Sequence, residues 1–212
     1  LGAAVAGSFS VDVLSRTSAA FIEDANCLTV TDLSITADRS GWNVALAAGV
    51  GVGLGQEGKG VAGSVTVNIS MYTTEAGLRD MTGPVDLDAL TVTADNSNNL
   101  IAIAGSVAFG GKAGVGIAIG FSWTENDVSA MVSGLDDLTH TGDVTVDATA
   151  DGLIVAVTGS VGIAKGGESG FGGAGTVSIN LLENTLEAGI IDTVVTAAST
   201  GRAAGDLPDV AT

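Results

Sequence analysis

The chain has 212 residues and a formal net charge of −17, from 24 acidic residues against 7 basic. That balance argues against nucleic acid as a partner, because phosphate contacts need lysine and arginine, and against an anionic membrane surface for the same reason. Only 4% of the residues are aromatic while 32 are glycine. A thick core would use more of the large rings, so the interior has to be built from Val, Ile, Leu, Ala and Gly in thin, closely packed sheets.

In chain order, the first stretch is Leu1-Gly2-Ala3-Ala4, with no Met and no charged run ahead of an apolar one. No signal peptide is visible, and the expectation is a processed product or a slice of something longer. The first landmark is Ala20 in SAAFIED, a small residue inside a polar-flanked strand. It returns as Ala76 in TEAGL, Ala130 in VSAMV and Ala188 in LEAGI, at spacings of 56, 54 and 58. Cys27 follows. A single cysteine forms no internal disulfide and no zinc thiolate set, and it reads as a small apolar filler.

The second landmark is LSITAD at Ala37, repeated as LTVTAD at Ala94 and VTVDAT at Ala148, at spacings of 57 and 54. The third is a glycine after an apolar run: Gly49 in LAAGVGVG, Gly105 in AIAGSVAFGG and Gly159 in VTGSVGIAKGG. Last come the only three lysines, Lys59, Lys112 and Lys165, each 53 residues from the next and each in a glycine-rich loop (GQEGKG, FGGKAG, AKGGESG). The chain is therefore one repetitive β domain, residues 1–200, of about four copies. Their approximate bounds are 1–37, 38–94, 95–148 and 149–200. Residues 201–212, with Pro208, leave the pattern and read as a linker or tail.

Within one copy the expected order begins with the strand Leu90–Ala94 and a polar turn from Asp95 to Asn99. An apolar strand from Leu100 to Phe109 and the Gly-Gly-Lys loop come next. A second apolar strand, Val115–Trp123, leads into an alternating polar strand, Asn126–Val132, and Gly134–Gly142 turns into the next copy. Period-2 alternation bounded by turn residues argues for strands. Interior glycines argue against helix, at about 1 kcal/mol each relative to alanine. IAIAGSVAF and VGIAIGF are apolar or small on both parities, which predicts strands covered on both faces, with small residues letting the sheets approach closely. Polar residues recur eight and four positions before the alanine landmark: Asp12 and Arg16, Asn68 and Tyr72, Ser122 and Asn126, Asn180 and Asn184. They predict a half-exposed surface strand or one end of an asparagine ladder.

Leu100 to Trp123 has the length of a membrane-spanning helix, but Lys112 sits at its centre among Gly110, Gly111 and Gly114. A membrane barrel alternates lipid-facing and lumen-facing residues between aromatic girdles, whereas these strands are apolar on both parities. The sequence thus argues against membrane insertion. Repeats that cannot bury their own apolar faces stack into solenoids. The expected fold is an all-β parallel β-solenoid, β-helix-like, with one folded-in coil or two smaller coils per repeat; the alternative is a stack of antiparallel hairpins closed by the Gly-Gly-Lys loop. Stacking would gather the three lysines, with Glu57 and Glu168 relieving their repulsion.

The stretch LTVTADNSNNLIAIAGSVAFGGKAGVGIAIGFSWTENDVSAMVSG, followed by GDVTVDATADGLIVAVTGSVGIAKGG, resembles the β-strand repeats of giant bacterial surface proteins, the adhesin-like and filamentous-haemagglutinin-like class. The likeness runs from about Ala4 to Thr196. It implies secretion, a long rod and a role in adhesion or aggregation; the departure is size, since those proteins are far longer.

Chemistry-bearing residues are sparse. His140, the one histidine, lies in the turn segment LDDLTHTGD without a repeated partner, and GxSxG, HExxH and CxxC are all absent. The glycine-rich loops do not match GxxxxGK[ST]. Calcium is the one cofactor to consider, since it takes several oxygen ligands about one point. Candidate donors are Asp86, Asp88, Asp136, Asp137 and Asp143, the last grouped with Asp147 and Asp151. Thr29/Thr31, Thr91/Thr93 and Thr145 offer the flat threonine face of an ice-binding solenoid, although Asp147 breaks the third pair and β-propensity alone accounts for threonine in strands.

The expected function is a non-catalytic rod segment of an extracellular or cell-surface adhesin-like protein. Its partners would be itself or neighbouring repeats end to end, and a cell-surface or carbohydrate ligand. Uncapped sheet edges template further pairing, so the alternative is a subunit of a self-assembling filament. An ice-binding or carbohydrate-binding solenoid ranks below both.

Overall fold

Alternation decides the architecture. The computed structural model describes residues 2–166 and 169–198, which form an all-β parallel solenoid. The strands are β1 (Ala3–Glu23), β2 (Leu28–Val52), β3 (Lys59–Met81), β4 (Val85–Gly110), β5 (Ala113–His140), β6 (Val144–Ala164) and β7 (Phe171–Ala197). They run 21 to 28 residues, roughly 70–90 Å at about 3.3 Å per residue, several times the usual strand length. β1-β3-β5-β7 form one layer and β2-β4-β6 the other, every pairing parallel. The layers join where Val85–Leu87 of β4 pair with Leu138–His140 of β5. Each coil is thus two long strands, one per layer. The hairpin alternative is excluded, since hairpins would make antiparallel ladders; the Gly-Gly-Lys segment instead carries the chain from one layer to the facing one.

Two landmarks stack residue on residue. Ala20 pairs with Ala76, Ala130 and then Ala188, and Ala37 with Ala94 and then Ala148. Gly105 pairs with Gly159, but the first coil is displaced by one, so that Ala48 stands beside Gly105 and Gly49 beside Ser106. The lysines share a loop region without sharing a stacked position. Lys59 opens β3 and pairs with Ala113, Lys112 immediately precedes β5, and Lys165 follows β6. Their uniform spacing departs from the 54- to 58-residue offsets of the ladders, so they do not form a column. Glu57 pairs with Lys112 at 2.9 Å; Glu168 lies outside the described residues, as does the 201–212 tail.

Three sequence expectations are corrected. Asp95–Asn99 is not a turn: β4 runs straight through it, because Asn96 and Asn98 point inward to partners while Asp95, Ser97 and Asn99 face out. Likewise β5 continues past Gly134 to His140, with an irregularity between Leu135 and Leu138. Third, the apolar runs are not covered on both faces. Each layer has one inner face, and period-2 geometry sends alternate residues out. The inward set is small, and the outward set is large and exposed, with Leu46 at 65%, Val157 at 53% and Ile117 at 47%.

The interior changes character along the strands. At one end an aliphatic core gathers Leu78, Leu90, Val92, Val132, Leu135 and Leu138, each worth about 1.5–3 kcal/mol when fully buried. The middle is polar. At the glycine-loop end the interior is thin, filled by Ala62, Ser64, Ala102, Ala104 and Ala118. A Cβ at Gly49 would strike the Gly63 carbonyl of the facing layer, and one at Gly116 would lie 2.8 Å from the Val161 carbonyl oxygen. Only glycine permits that approach.

Late in each pass through the odd-numbered layer stands a left-handed residue: Asp24 (φ 56°), Asp80 (φ 54°), Gly134 (φ 65°) and Asp192 (φ 48°). Their flanking residues pair in register, Arg79 with Ser133 and Met81 with Leu135, then Ser133 with Ile191 and Leu135 with Thr193. One backbone bend therefore recurs at one stacked position. The sequence carries a signal for it that the landmarks passed over: residues 24, 80, 134 and 192 each follow the alanine landmark by four and are Asp or Gly, the types that tolerate this conformation.

Candidate functional site

The densest constellation of polar side chains is inside the solenoid, midway along the strands. Asp12, Asn68, Ser122 and Asn180 form one row of the odd-numbered layer; Arg16, Tyr72, Asn126 and Asn184 form another. The expected surface strand is corrected here. Asn68, Tyr72, Ser122 and Asn126 are buried, because the alanine landmark four residues on faces the core and parity carries the same face back to them. The alternative expectation, an asparagine ladder, is what forms. Asn126 Nδ2 donates to Asn184 Oδ1 at 2.7 Å along the layer, and Asn96 Nδ2 donates across the interior to Asn126 Oδ1 at 3.1 Å. Asn98 donates to Asn96. One row over, Asn43 Nδ2 donates to Asn68 Oδ1 and Ser70 Oγ, each at 3.0 Å.

In the first coil the pair facing across the interior is Arg39 and Tyr72 instead, with the guanidinium 4.2 Å from the ring centroid. Burial lowers the Arg39 pKa from the ordinary arginine value; Tyr72 opposes that shift and Arg16 adds to it. Amides, hydroxyls, the Asp12 carboxylate and the guanidiniums of Arg16 and Arg39 line these rows, and the bonds among them fix which residue stacks on which. A one-row slip would strand several buried polar atoms at about 1–3 kcal/mol each.

The candidate calcium donors are spread over β4, β5, β6 and the turn between β5 and β6. Asp86 and Asp88 project outward from the start of β4, where Asp88 Oδ1 accepts from Thr141 Oγ1 at 2.7 Å and its carbonyl accepts from the Gly142 amide at 2.6 Å. Asp136 and Asp137 occupy the irregularity of β5, and Asp137 accepts from Thr139 Oγ1 at 3.4 Å. Asp143 is in the following turn, its carbonyl accepting from the Leu90 amide at 2.9 Å. Asp147 and Asp151 face outward on β6. Among the described residues, no three of His, Cys, Asp and Glu gather as a metal-holding group. His140 ends β5 with Nδ1 2.7 Å from the Gly142 carbonyl oxygen, so that nitrogen carries the proton and the ring staples the turn. Cys27 is exposed, which corrects its reading as an apolar filler: it lies in the turn between β1 and β2, where there is no interior to fill.

The glycine-rich loops enclose an open depression of about 880 Å³ lined by Leu54, Glu57, Phe109, Ile163 and Lys165 among others. Of its charged groups, Glu57 is held in the ion pair with Lys112 at 2.9 Å. The threonine face is also rearranged: Thr91 stacks between Ser34 and Thr145, Thr93 between Thr36 and Asp147, and Thr29 pairs with Asp86. Compared with family models, curated proteins and solved structures, the chain finds no match.

Proposed function

We propose that the chain is a non-catalytic structural segment of an extracellular, adhesin-like surface rod. The observation that carries this reading is the coil itself. Successive coils repeat the same alanine rows, the same bend and the same polar seam, so the organised side chains serve coil-on-coil stacking rather than a cleft. Any role in adhesion would lie on the faces that the rod displays. A specific observation favours a second reading, that of a filament subunit: β1 and β2 at one end, and β6 and β7 at the other, are each laddered on one side only within the described residues. Such edges recruit further strands. The ice-binding reading falls behind because Ser34 and Asp147 interrupt the threonine rows.

Negative-stain microscopy over a concentration series tests the proposal. Short monodisperse rods at every concentration are the expected result for a passive segment. Fibres that lengthen with concentration would replace it with the filament reading, and compact, featureless particles would sink both.

A further inference from the structure

The outward faces of the two layers are each divided at the same level. On the odd-numbered layer, the half nearest the glycine-rich loops displays Val5, Phe9, Ile117, Ile119, Val177 and Ile179, and the run ends at the row Val13, Ile69, Trp123, Leu181. The next outward row is Ser15, Met71, Glu125, Glu183. On the other layer the apolar run begins at the row Trp42, Asn99, Leu153 and continues to Val52, Phe109, Ile163. The outward row before it is Ser40, Ser97, Asp151. Val5 to Val13 is eight residue steps and Trp42 to Val52 is ten, about 26 and 33 Å along the strand.

We propose that this two-sided band is a lipid-facing surface that seats the solenoid across the hydrocarbon core of a bilayer, its strands running from one side to the other. Four observations converge. The band height matches the hydrocarbon thickness of about 30 Å. The band encircles both outer faces at one level, as a membrane-facing belt must. Both tryptophans of the chain, Trp42 and Trp123, stand in its boundary rows, one on each face, where indoles favour the lipid–water interface. Inside the band the interior is narrow, filled mostly by small side chains such as Ala62, Ser64, Ala102, Ala104 and Ala118, and every backbone group between neighbouring coils is paired in the ladders, which hydrocarbon demands.

Charge selects lipid over a second copy as the occupant. Beyond the band both faces carry outward acids: Asp38, Asp95 and Asp151 on one layer, Glu125, Asp127 and Glu187 on the other. Two copies laid band to band in the same sense would set these rows against each other, whereas a zwitterionic bilayer leaves them in water. Reversing one copy would lay apolar rows on acidic ones. The alternation argument against a membrane barrel does not apply to this arrangement, because here the residues that alternate with the lipid-facing ones, mostly glycine, alanine, serine and threonine with Asn43 and Asn68 at the boundary rows, pack against the other layer rather than line a lumen. Since hydrocarbon tolerates no open sheet edge, insertion is coupled to edge pairing with further coils, and the bound form is a multimer.

The test is flotation of the full chain with neutral phosphatidylcholine vesicles, with tryptophan fluorescence as a depth gauge. The expected result is co-flotation as cross-linkable multimers, with a blue-shifted emission that lipids brominated near the headgroup quench more than lipids brominated at the chain end. Ile117→Asp and Leu46→Asp, both outward and checked for folding by circular dichroism, each cut partition by about tenfold or more. Thr36→Asp, in the polar half where Asp147 already occupies the same row, leaves partition unchanged. A folded protein that stays with the aqueous fraction overturns the proposal, as does flotation indifferent to the two band variants. Failure here would leave the rod reading standing, because rod shape is read separately by microscopy.

Discussion

A methyl group added at Gly116 would lie 2.8 Å from the Val161 carbonyl oxygen of the facing layer; one added at Gly63 would touch nothing within 4 Å. Both are strand glycines, but Gly116 shares the parity of the inward-facing alanine landmark and Gly63 does not. Gly116→Ala is expected to cost about 1–3 kcal/mol, the range for forcing volume into a packed site. Gly63→Ala is expected to be neutral or to stabilise by about 0.5–1 kcal/mol, since glycine is a poor strand residue. Urea midpoints of the two variants check the contrast. The bend residues separate in the same way. Asp80→Val should lose about 1–2 kcal/mol, because a β-branched side chain resists positive φ, while Asp80→Asn should stay within about 0.5 kcal/mol. Equal losses from both variants would show that the side-chain charge, not the backbone conformation, is what the site requires.

Among the elements, the β4–β5 crossing of the interior couples most tightly. Asn96 and Asn126 are both buried, and Asn126 receives one bond and gives another. A double-mutant cycle with alanine at both positions should return an interaction energy of about 0.5–3 kcal/mol, measured by chemical denaturation; a coupling near zero would show that the seam contributes by volume alone. In the aliphatic zone, Leu90→Ala should cost about 2–5 kcal/mol. The repeated strands, their parallel stacking and the alanine rows were legible because each copy restates them at the same offset. Strand boundaries were not. Asp95–Asn99 looks like a turn because Asn and Asp favour turns, and only the facing layer reveals that Asn96 and Asn98 are core residues. The asparagine ladder was legible as an alternative to the surface strand, and parity with the alanine landmark would have chosen between them. Apolar residues on both parities were read as double coverage. They are in fact a size code, small inward and large outward, that composition averages away.

For the whole molecule, β3, β4 and β5 are laddered on both sides, whereas β1, β2, β6 and β7 have a neighbour on one side only within the described residues. Amide exchange should therefore be slowest in the aliphatic zones of β4 and β5 and fastest along β1 and β7; uniform protection across all seven strands would mean that the free edges are covered in solution. The long lysine spacing misled at this scale. Three lysines at equal intervals look like a column, yet the ladders step by 54 to 58 residues and the loops absorb the difference. Loop length is free to vary as long as the strands keep their rows.

The direction of the hydrogen bonds has a mechanical consequence. In a parallel solenoid they lie along the stacking axis, so a pull applied evenly between the first and last coils loads every rung of both ladders together. A pull at one corner of a coil instead opens the rungs one after another. Attached by its broad ends, such a solenoid resists traction with the strength of a whole layer; held by a single strand terminus, it unzips. How the ends are gripped, more than the strength of any bond within, would determine the force that the structure withstands.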